Sequence, residues 1–352
     1  MSDPFGFLNQ KGVLIKVCIF VLLTIAVTVV HVFAPDEYRS NLKSNFSKSD
    51  FDSQLDFLVD KFQLTSAEPE AEKVLDLPMP NLRPVPPWSK FEVNLRFVRR
   101  KNLAACLIEK NMSSLMVNTL CFLQYPEEFR NANRTVTTDF YFTRFCKAGG
   151  EYSNEFGEYG KWLEATNSTF EDWKMFTVVR DPLERFVSAF VDKCVKTLQK
   201  YNPNENCFGC FSNVSCFLET VYERSMAYSQ STFTRKDVKM EDQHVFPQNW
   251  HCDFHHELAR HKVIKYSSEP SKLKSAFREL TEFLLKSNVE NTLIEEFLEE
   301  VLTNRTSHST FASDEHDLYF RAIVENKRLL DLVYAIYYFD YVLFKFPFGY
   351  GS

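Results

Sequence analysis

"FTVVRDPLERFVSAF", Phe176 to Phe190, decides the fold. Its opening run, Met175 to Val179, is apolar and short enough to be a strand buried on both faces. Arg180-Asp181-Pro182 ends that strand, because Pro182 has no N–H to give a ladder and suits the first turn of a helix. The helix from Leu183 then carries Phe186 and Phe190 toward the core. On it Arg185 and Ser188 stand three apart and share a face near its N-terminal end, where Arg180 also lies. Two arginines and a hydroxyl at one place suit a phosphate monoester, since guanidinium supplies fork-shaped donors. The plainer alternative is that Arg180-Asp181 only caps the helix and makes a local ion pair.

A second unit of the same kind lies upstream in "RKNLAACLIEKNMSSLMVNTLCFL", Arg100 to Leu123. Leu103 to Ile108 reads as a short buried strand, Ser113 or Ser114 as an N-cap, and Leu115, Met116, Leu120 and Leu123 as the apolar side of a helix. Strand, polar loop and helix N-terminus together make an anion site, with Lys110 adding a point charge. The loop lacks the glycines of a Walker A sequence, which argues against a nucleotide triphosphatase. Short apolar runs alternating with helical ones predict an α/β architecture from about Trp88 onward.

Around these units the chain reads as a membrane-anchored protein. Val17 to Val30 carries no charge, the apolar character reaches Phe33, and Lys11 and Lys16 precede the run while Asp36 and Glu37 follow it. These features predict a cytosolic tail at 1–12, an uncleaved transmembrane signal anchor at 13–33, a stalk at 34–87 and a lumenal domain at 88–352. The stalk ends in the proline-rich "LPMPNLRPVPP", read as a semi-stiff spacer, with a short amphipathic helix near Phe51 to Phe62. Six N-x-[ST] sequons, at Asn45, Asn111, Asn133, Asn167, Asn213 and Asn304, agree with a lumenal domain, as do eight of the nine cysteines following the anchor. The group Cys194, Cys207, Cys210 and Cys216 is read as disulfide-forming rather than metal-binding, with Cys252 as a distant partner for one of them.

The balance of 41 Lys+Arg against 47 Asp+Glu, a formal charge of -6, gives no global attraction to nucleic acid. A polyanion would need a local basic patch, and Arg96 to Lys101 offers one; a solvated charge run is the equal alternative. No feature of the sequence specifies an oligomeric state.

The two units together resemble the Golgi carbohydrate sulfotransferases, the chondroitin 4-O-sulfotransferase and HNK-1 sulfotransferase-like group with its nematode-type members, over roughly residues 88–346. "RDPLERFVSAF" matches that family's 3′-phosphate motif R-x-P-x-x-R-x-x-S-x-[FY] at Arg180, Pro182, Arg185, Ser188 and Phe190. "CLIEKNMSS" is similar to its 5′-phosphosulfate loop, putting the family's essential lysine at Lys110 and its hydroxyls at Ser113 and Ser114, with Asn111 and Met112 between them. "DQHVFPQNWHCDF", "HST" at His308 to Thr310 and the closing "YAIYYFDYVLFKF" resemble further segments of nematode-type members.

The resemblance implies a P-loop-like sulfotransferase fold, a central parallel sheet flanked by helices. It implies an enzyme that takes a sulfonate group from 3′-phosphoadenosine 5′-phosphosulfate, without a metal, to a glycan hydroxyl of a chondroitin-like chain. It also implies a single-pass type II protein of the Golgi membrane. Arg180 and Ser188 would hold the 3′-phosphate, Arg185 would support them, and Asp181 would orient Arg180 or the helix start. Lys110 would sit at the bridging oxygen. His244 is the first choice for the base that takes the acceptor's proton, with His308 and Glu109 as alternatives. Asn111, a sequon inside the cofactor loop, is expected to carry no glycan. The reading from another class is an inactive membrane-anchored glycan-binding protein; a kinase is disfavoured by the missing Gly-rich loop.

Overall fold

A computed structural model describes residues 81–350 apart from 140, 149–151, 154–159, 162, 165–166, 197–205 and 305–312. The anchor, most of the stalk with its short helix, the Asn45 sequon and His308 therefore lie outside the described residues. Among the described residues, no helix is long and apolar enough to cross a membrane.

The order of the main elements is β1 (Leu95–Val98), β2 (Leu103–Cys106), α1 (Ser113–Gln124), β3 (Tyr152–Ser153), β4 (Lys174–Arg180) and α2 (Pro182–Phe190). Then come α3 (Val214–Ser229), α4 (Met240–Val245), β5 (His261–Tyr266), α5 (Pro270–Lys286) and α6 (Lys327–Leu343). The strands form one sheet in the order β3-β1-β2-β4-β5. β2, β4 and β5 run parallel, as crossovers through helices require, while β1 and β3 are antiparallel to their neighbours. The expected central parallel sheet is thus present in β2, β4 and β5, with an antiparallel edge added by β1 and β3. A local cause is the tight 3-10 turn Arg99–Lys101, closed by Asn102 in the left-handed region at φ 48°, which folds β1 back on β2 as a hairpin.

β4 is the middle strand of the parallel half, between β2 and β5, and is buried at every position but its first. Its one polar interior side chain, Thr177, donates to the Cys106 carbonyl at 2.9 Å, so the hydroxyl is satisfied inside the sheet. α1 packs on β1, α5 along β5, and α6 against α2 and α3. Phe186 and Phe190 of α2 meet Phe217 of α3 with ring centroids 5.9 and 5.4 Å apart, and Tyr337 of α6 closes the same aromatic cluster.

The proline-rich run does not end as a free spacer. Val85 is buried and donates its N–H to the Ala335 carbonyl at 2.9 Å, while Trp250 donates its indole N–H to Pro86. The packed domain therefore begins a few residues before Trp88.

The basic run Arg96 to Lys101 is not a continuous cationic strip. Arg96 is buried within β1, and Arg100 and Lys101 are both paired with Glu290 at 3.0 and 2.7 Å.

All eight cysteines after the anchor are paired, as Cys106–Cys252, Cys121–Cys146, Cys194–Cys207 and Cys210–Cys216. The tight group pairs internally, so Cys252 bonds to Cys106, not to one of its members. Cys106 ends β2, and Cys252 lies where the 247–254 segment pairs with residues 91–92 through Cys252 N–H to the Glu92 carbonyl at 2.7 Å. Replacing Cys106 and Cys252 together by Ser should cost about 2–5 kcal/mol of stability, read as a lower urea midpoint. Because that bond anchors the loop after β2, the same change should speed amide hydrogen exchange in Leu107–Met112 more than removal of Cys121–Cys146 does.

Candidate active site

In an open α/β sheet the ends of the parallel strands leave a crevice for ligands. Here the loop Leu107–Met112 leaves β2, Arg180 closes β4, and Ser267-Ser268 follow β5, all at that same edge.

The loop is shaped by two left-handed residues, Lys110 at φ 68° and Met112 at φ 58°. Neither is glycine, so the backbone is held there by its surroundings. Asn111 supplies much of that hold. Its carboxamide, 1% exposed, donates to the Val178 carbonyl at 2.9 Å and to Gln248 Oε1 at 2.7 Å. Asn111 is thus a buried anchor of the loop, not a side chain turned to a ligand, and its amide nitrogen has no room for a glycan. The other described sequons, Asn133, Asn167, Asn213 and Asn304, are exposed.

Met112, rather than Ser113 or Ser114, is the N-cap of α1, and no side chain caps that helix. Ser113 and Ser114 form its half-exposed first turn, leaving first-turn N–H groups and two hydroxyls for an anion. The N-terminus of α2 is filled instead. Asp181 accepts from the N–H groups of Leu183 and Glu184, both at 3.0 Å, so of its two expected roles it takes the helix start.

Arg180 is buried at the seam between the two motifs. It pairs with Glu184 at 3.2 Å, donates to Ser268 Oγ, faces the Tyr266 ring at 5.1 Å and reaches the Lys110 carbonyl at 3.5 Å. Glu184 in turn accepts from Ser267 Oγ and the Ser268 N–H, which locks the turn after β5 to α2. Ser188 is buried farther along α2. Arg185 is fully buried and donates Nε to the Glu109 carbonyl at 3.0 Å and Nη1 to the Phe246 carbonyl at 2.8 Å, so it braces the Lys110 loop, while its buried Nη2 has no hydrogen-bond partner.

Lys110 Nζ lies 2.5 Å from Asp192 Oδ2. Asp192 belongs to a π-helical turn, Val191–Lys196, that continues α2 and also brings Lys193 to Asp192 at 3.1 Å. Burial draws the Lys110 ammonium down to about 8 despite the Asp192 charge. Burial pushes Asp192 up, but Lys110 and then Lys193 outweigh it and hold the carboxyl at about 2.

His244, on α4, shares this field. Its Nδ1 lies 2.7 Å from the Met240 carbonyl, which makes Nδ1–H the donor and leaves the Nε2 lone pair open. Burial, then the charges of Lys193 and Lys110, lower its pKa to about 3.

A second group of titratable side chains borders the loop. Glu92, Glu109 and His251 each bring one ligand atom to within 4.8 Å of the others, a spacing that a divalent cation could bridge. Arg235 and Gln243 already hold the Glu92 carboxylate at 3.3 and 3.0 Å. Glu109 Oε2 and His251 Nε2, by contrast, are buried polar atoms without a hydrogen-bond partner. Burial, then the neighbouring Glu92 charge, raises Glu109 to about 7, and burial with Arg185 and His244 nearby keeps His251 neutral.

Of the residues singled out in the sequence, Lys110 and Arg180 meet at one end of the sheet, while Glu184, Asp192, Gln248 and Ser268 were missed. Gln248 lay in the quoted "DQHVFPQNWHCDF" without a stated role. Asp192 and Ser268 had no local signal.

Glu109 makes the site costly to fold. A carboxyl whose folded pKa lies above its unfolded value contributes least at high pH, because stability is lost as pH rises through the folded value. Glu109→Gln should therefore exceed the parent by about 3 kcal/mol at pH 8 and match it near pH 4, as read from urea midpoints at the two pH values.

Residues 93–347 match the sulfotransferase family. The chain is 34% identical over 265 residues to carbohydrate sulfotransferase chst-1 of Caenorhabditis elegans, an alignment covering 74% of this chain and 78% of that protein. It is 36% identical over 224 residues to the putative sulfotransferase vep-2 of the same nematode, covering 63% of this chain and 66% of the relative. No solved structure matches.

Proposed function

The chain belongs to the sulfotransferase family and is a sulfotransferase, and from that premise we propose that it moves a sulfonate group from 3′-phosphoadenosine 5′-phosphosulfate to a hydroxyl of a chondroitin-like glycan. The observation that carries this reading is the Arg180 guanidinium at 3.5 Å from the Lys110 carbonyl, which joins two phosphate-type motifs 70 residues apart at one sheet edge.

In this reading the first turn of α1, with Ser113 and Ser114, receives the 5′-phosphosulfate, and Arg180 with Ser188 receives the 3′-phosphate. Asn111, Met112 and Arg185 keep the loop in shape. The acceptor oxygen forms a bond to sulfur while the bond from sulfur to the bridging oxygen breaks. Lys110 leaves Asp192 to meet the charge that develops on that oxygen. The acceptor's proton goes to His244 Nε2, which is neutral and open. A second base is favoured by its own observation: Glu109, beside Lys110 in the chain, has its pKa raised to about 7 and an unpartnered carboxylate oxygen. The reading calls for no metal. It also puts the protein in the Golgi membrane as a single-pass type II chain with its enzymatic domain in the lumen; four disulfides and four exposed sequons support the oxidising side of a membrane.

Lys110→Ala should lower sulfonate transfer about 10²- to 10³-fold with a smaller effect on acceptor binding; a fully active variant would sink the assignment. The pH profile separates the two bases. Transfer requires Lys110 protonated, so kcat/KM should fall as pH rises past about 8, and Asp192→Asn, which removes a charge that raises the Lys110 pKa, should move that limb to lower pH. A base must be unprotonated, so an acid limb near pH 7 that vanishes in Glu109→Gln would identify Glu109. A profile flat through pH 5 and activity abolished in His244→Ala would identify His244.

A further inference from the structure

We propose that a cavity of about 370 Å³ between residues 89–90 and 228–235 is the acceptor subsite, and that Arg235 and Lys90 there read the acidic group of an anionic sugar next to the one that is sulfonated. The proposal rests on the sulfotransferase reading and names the acceptor chemistry it needs.

The lining has the composition a charged sugar requires. Tyr228 and Phe233 offer ring surface for the apolar face of a pyranose, Ser89, Ser231 and Thr234 offer hydroxyls, and Lys90 and Arg235 supply two cations. The walls are fixed by bonds between the two segments. Tyr228 donates its hydroxyl to the Lys90 carbonyl at 2.8 Å, and Arg235 donates Nη1 to the Phe91 carbonyl. Arg235 spends one further N–H on Glu92 at 3.3 Å and is still 62% exposed, so part of its fork remains for a carboxylate or a sulfate ester.

The cavity is also joined to the reaction centre. Glu92, which Arg235 holds, lies in the cluster with Glu109 and His251, and Glu109 is the chain neighbour of Lys110. An acidic residue bound on Arg235 therefore stands one carboxylate pair away from the loop that carries Lys110. In this proposal the adjoining sugar of the same chain presents the hydroxyl that is sulfonated. This arrangement assigns anion recognition to the 228–235 segment, in place of the paired-off run at Arg96 to Lys101.

Calorimetric titration of the full-length protein, saturated with 3′,5′-phosphoadenosine phosphate, tests the assignment with three hexasaccharides. They are unsulfated chondroitin, its carboxyl-reduced form, and the carboxyl-reduced form bearing sulfate esters. Tight binding of an acidic hexasaccharide, weakened at least about tenfold by Arg235→Ala and by Lys90→Ala, is the expected result, and the binding arm identifies the carboxylate or the ester as the group read. Lys90→Ala leaves Glu92 untouched, so its effect cannot come from the carboxyl cluster. Binding equal in parent and both variants, equal affinity for the neutral hexasaccharide, or no binding of any of the three would overturn the subsite. Affinity for phosphoadenosine phosphate, measured in the same protein, reports separately on the donor site: its absence would undo the sulfotransferase reading, while its presence with indifferent variants would undo only the subsite.

Discussion

The side-chain amide of Gln248 is the tie on which the site depends. It accepts the Arg180 N–H at 3.0 Å and donates to the Arg180 carbonyl at 2.8 Å, so at the end of β4 it takes the place of a neighbouring strand. The same Oε1 accepts from Asn111, which fixes the loop after β2 against the end of β4. Gln248 is itself held from behind, because Asp340 of α6 accepts its backbone N–H at 2.7 Å and that of Asn249 at 2.8 Å. A buried carboxylate met by several N–H donors can stay in place where an unpaired one could not. Strand end, the loop after β2 and α6 thus share one polar knot, and loss of any member leaves buried donors and acceptors without partners.

That knot explains which parts of the site were legible in the sequence. The strand before Arg180, the proline-started helix after it and the apolar side of α1 follow from periodicity and local chemistry. The structure reproduces them with small changes of boundary, such as β2 ending at Cys106 rather than Ile108 and Met112 taking the N-cap. Gln248 and Asp340 have no such signature. A glutamine that imitates a strand edge and an aspartate that receives it are 92 residues apart, and nothing in either neighbourhood announces the partnership. Arg185 shows the same limit from the other direction: helical spacing puts it near Ser188, but its guanidinium turns to the carbonyls of Glu109 and Phe246, which only tertiary packing brings within reach. The hairpin edge of the sheet and the Cys106–Cys252 bond were hidden for a similar reason, since both depend on where the chain returns.

The electrostatics around Lys110 divide into two pockets of opposite character. On one side Lys110, Lys193 and Asp192 form a compact charged group beside His244, and burial, then the two cations, keep that imidazole neutral. On the other, Glu92 and Glu109 sit together with His251; burial raises the pKa of both carboxyls, and the neighbouring Glu92 charge adds to the rise of Glu109 to about 7. Side chains whose environments drive their pKa values away from the ordinary, and apart from one another, mark the places where a fold spends stability on chemistry. The loop of Lys110 is the boundary between the two groups. Its left-handed residues and buried Asn111 hold that boundary still, so that Lys110 points to Asp192 while its neighbour Glu109 belongs to the carboxyl cluster.

Position in the sheet then gives the arrangement its direction. Donor-type groups gather where β2, β4 and β5 end, as the parallel half of the sheet dictates. The carboxyl cluster is built from the chain leading into β1, from the loop after β2 and from the 247–254 segment, all fastened by Cys106–Cys252. A nucleotide held by the first set and a sugar chain approaching along the second would meet at the Lys110 loop from opposite sides. An in-line exchange at sulfur needs that geometry, with the incoming and leaving oxygens on opposite faces of the transferred group. The antiparallel edge is therefore more than a decoration on a parallel sheet: by folding β1 against β2 it carries Glu92 to the flank of the loop, and so builds the wall that an acceptor would approach.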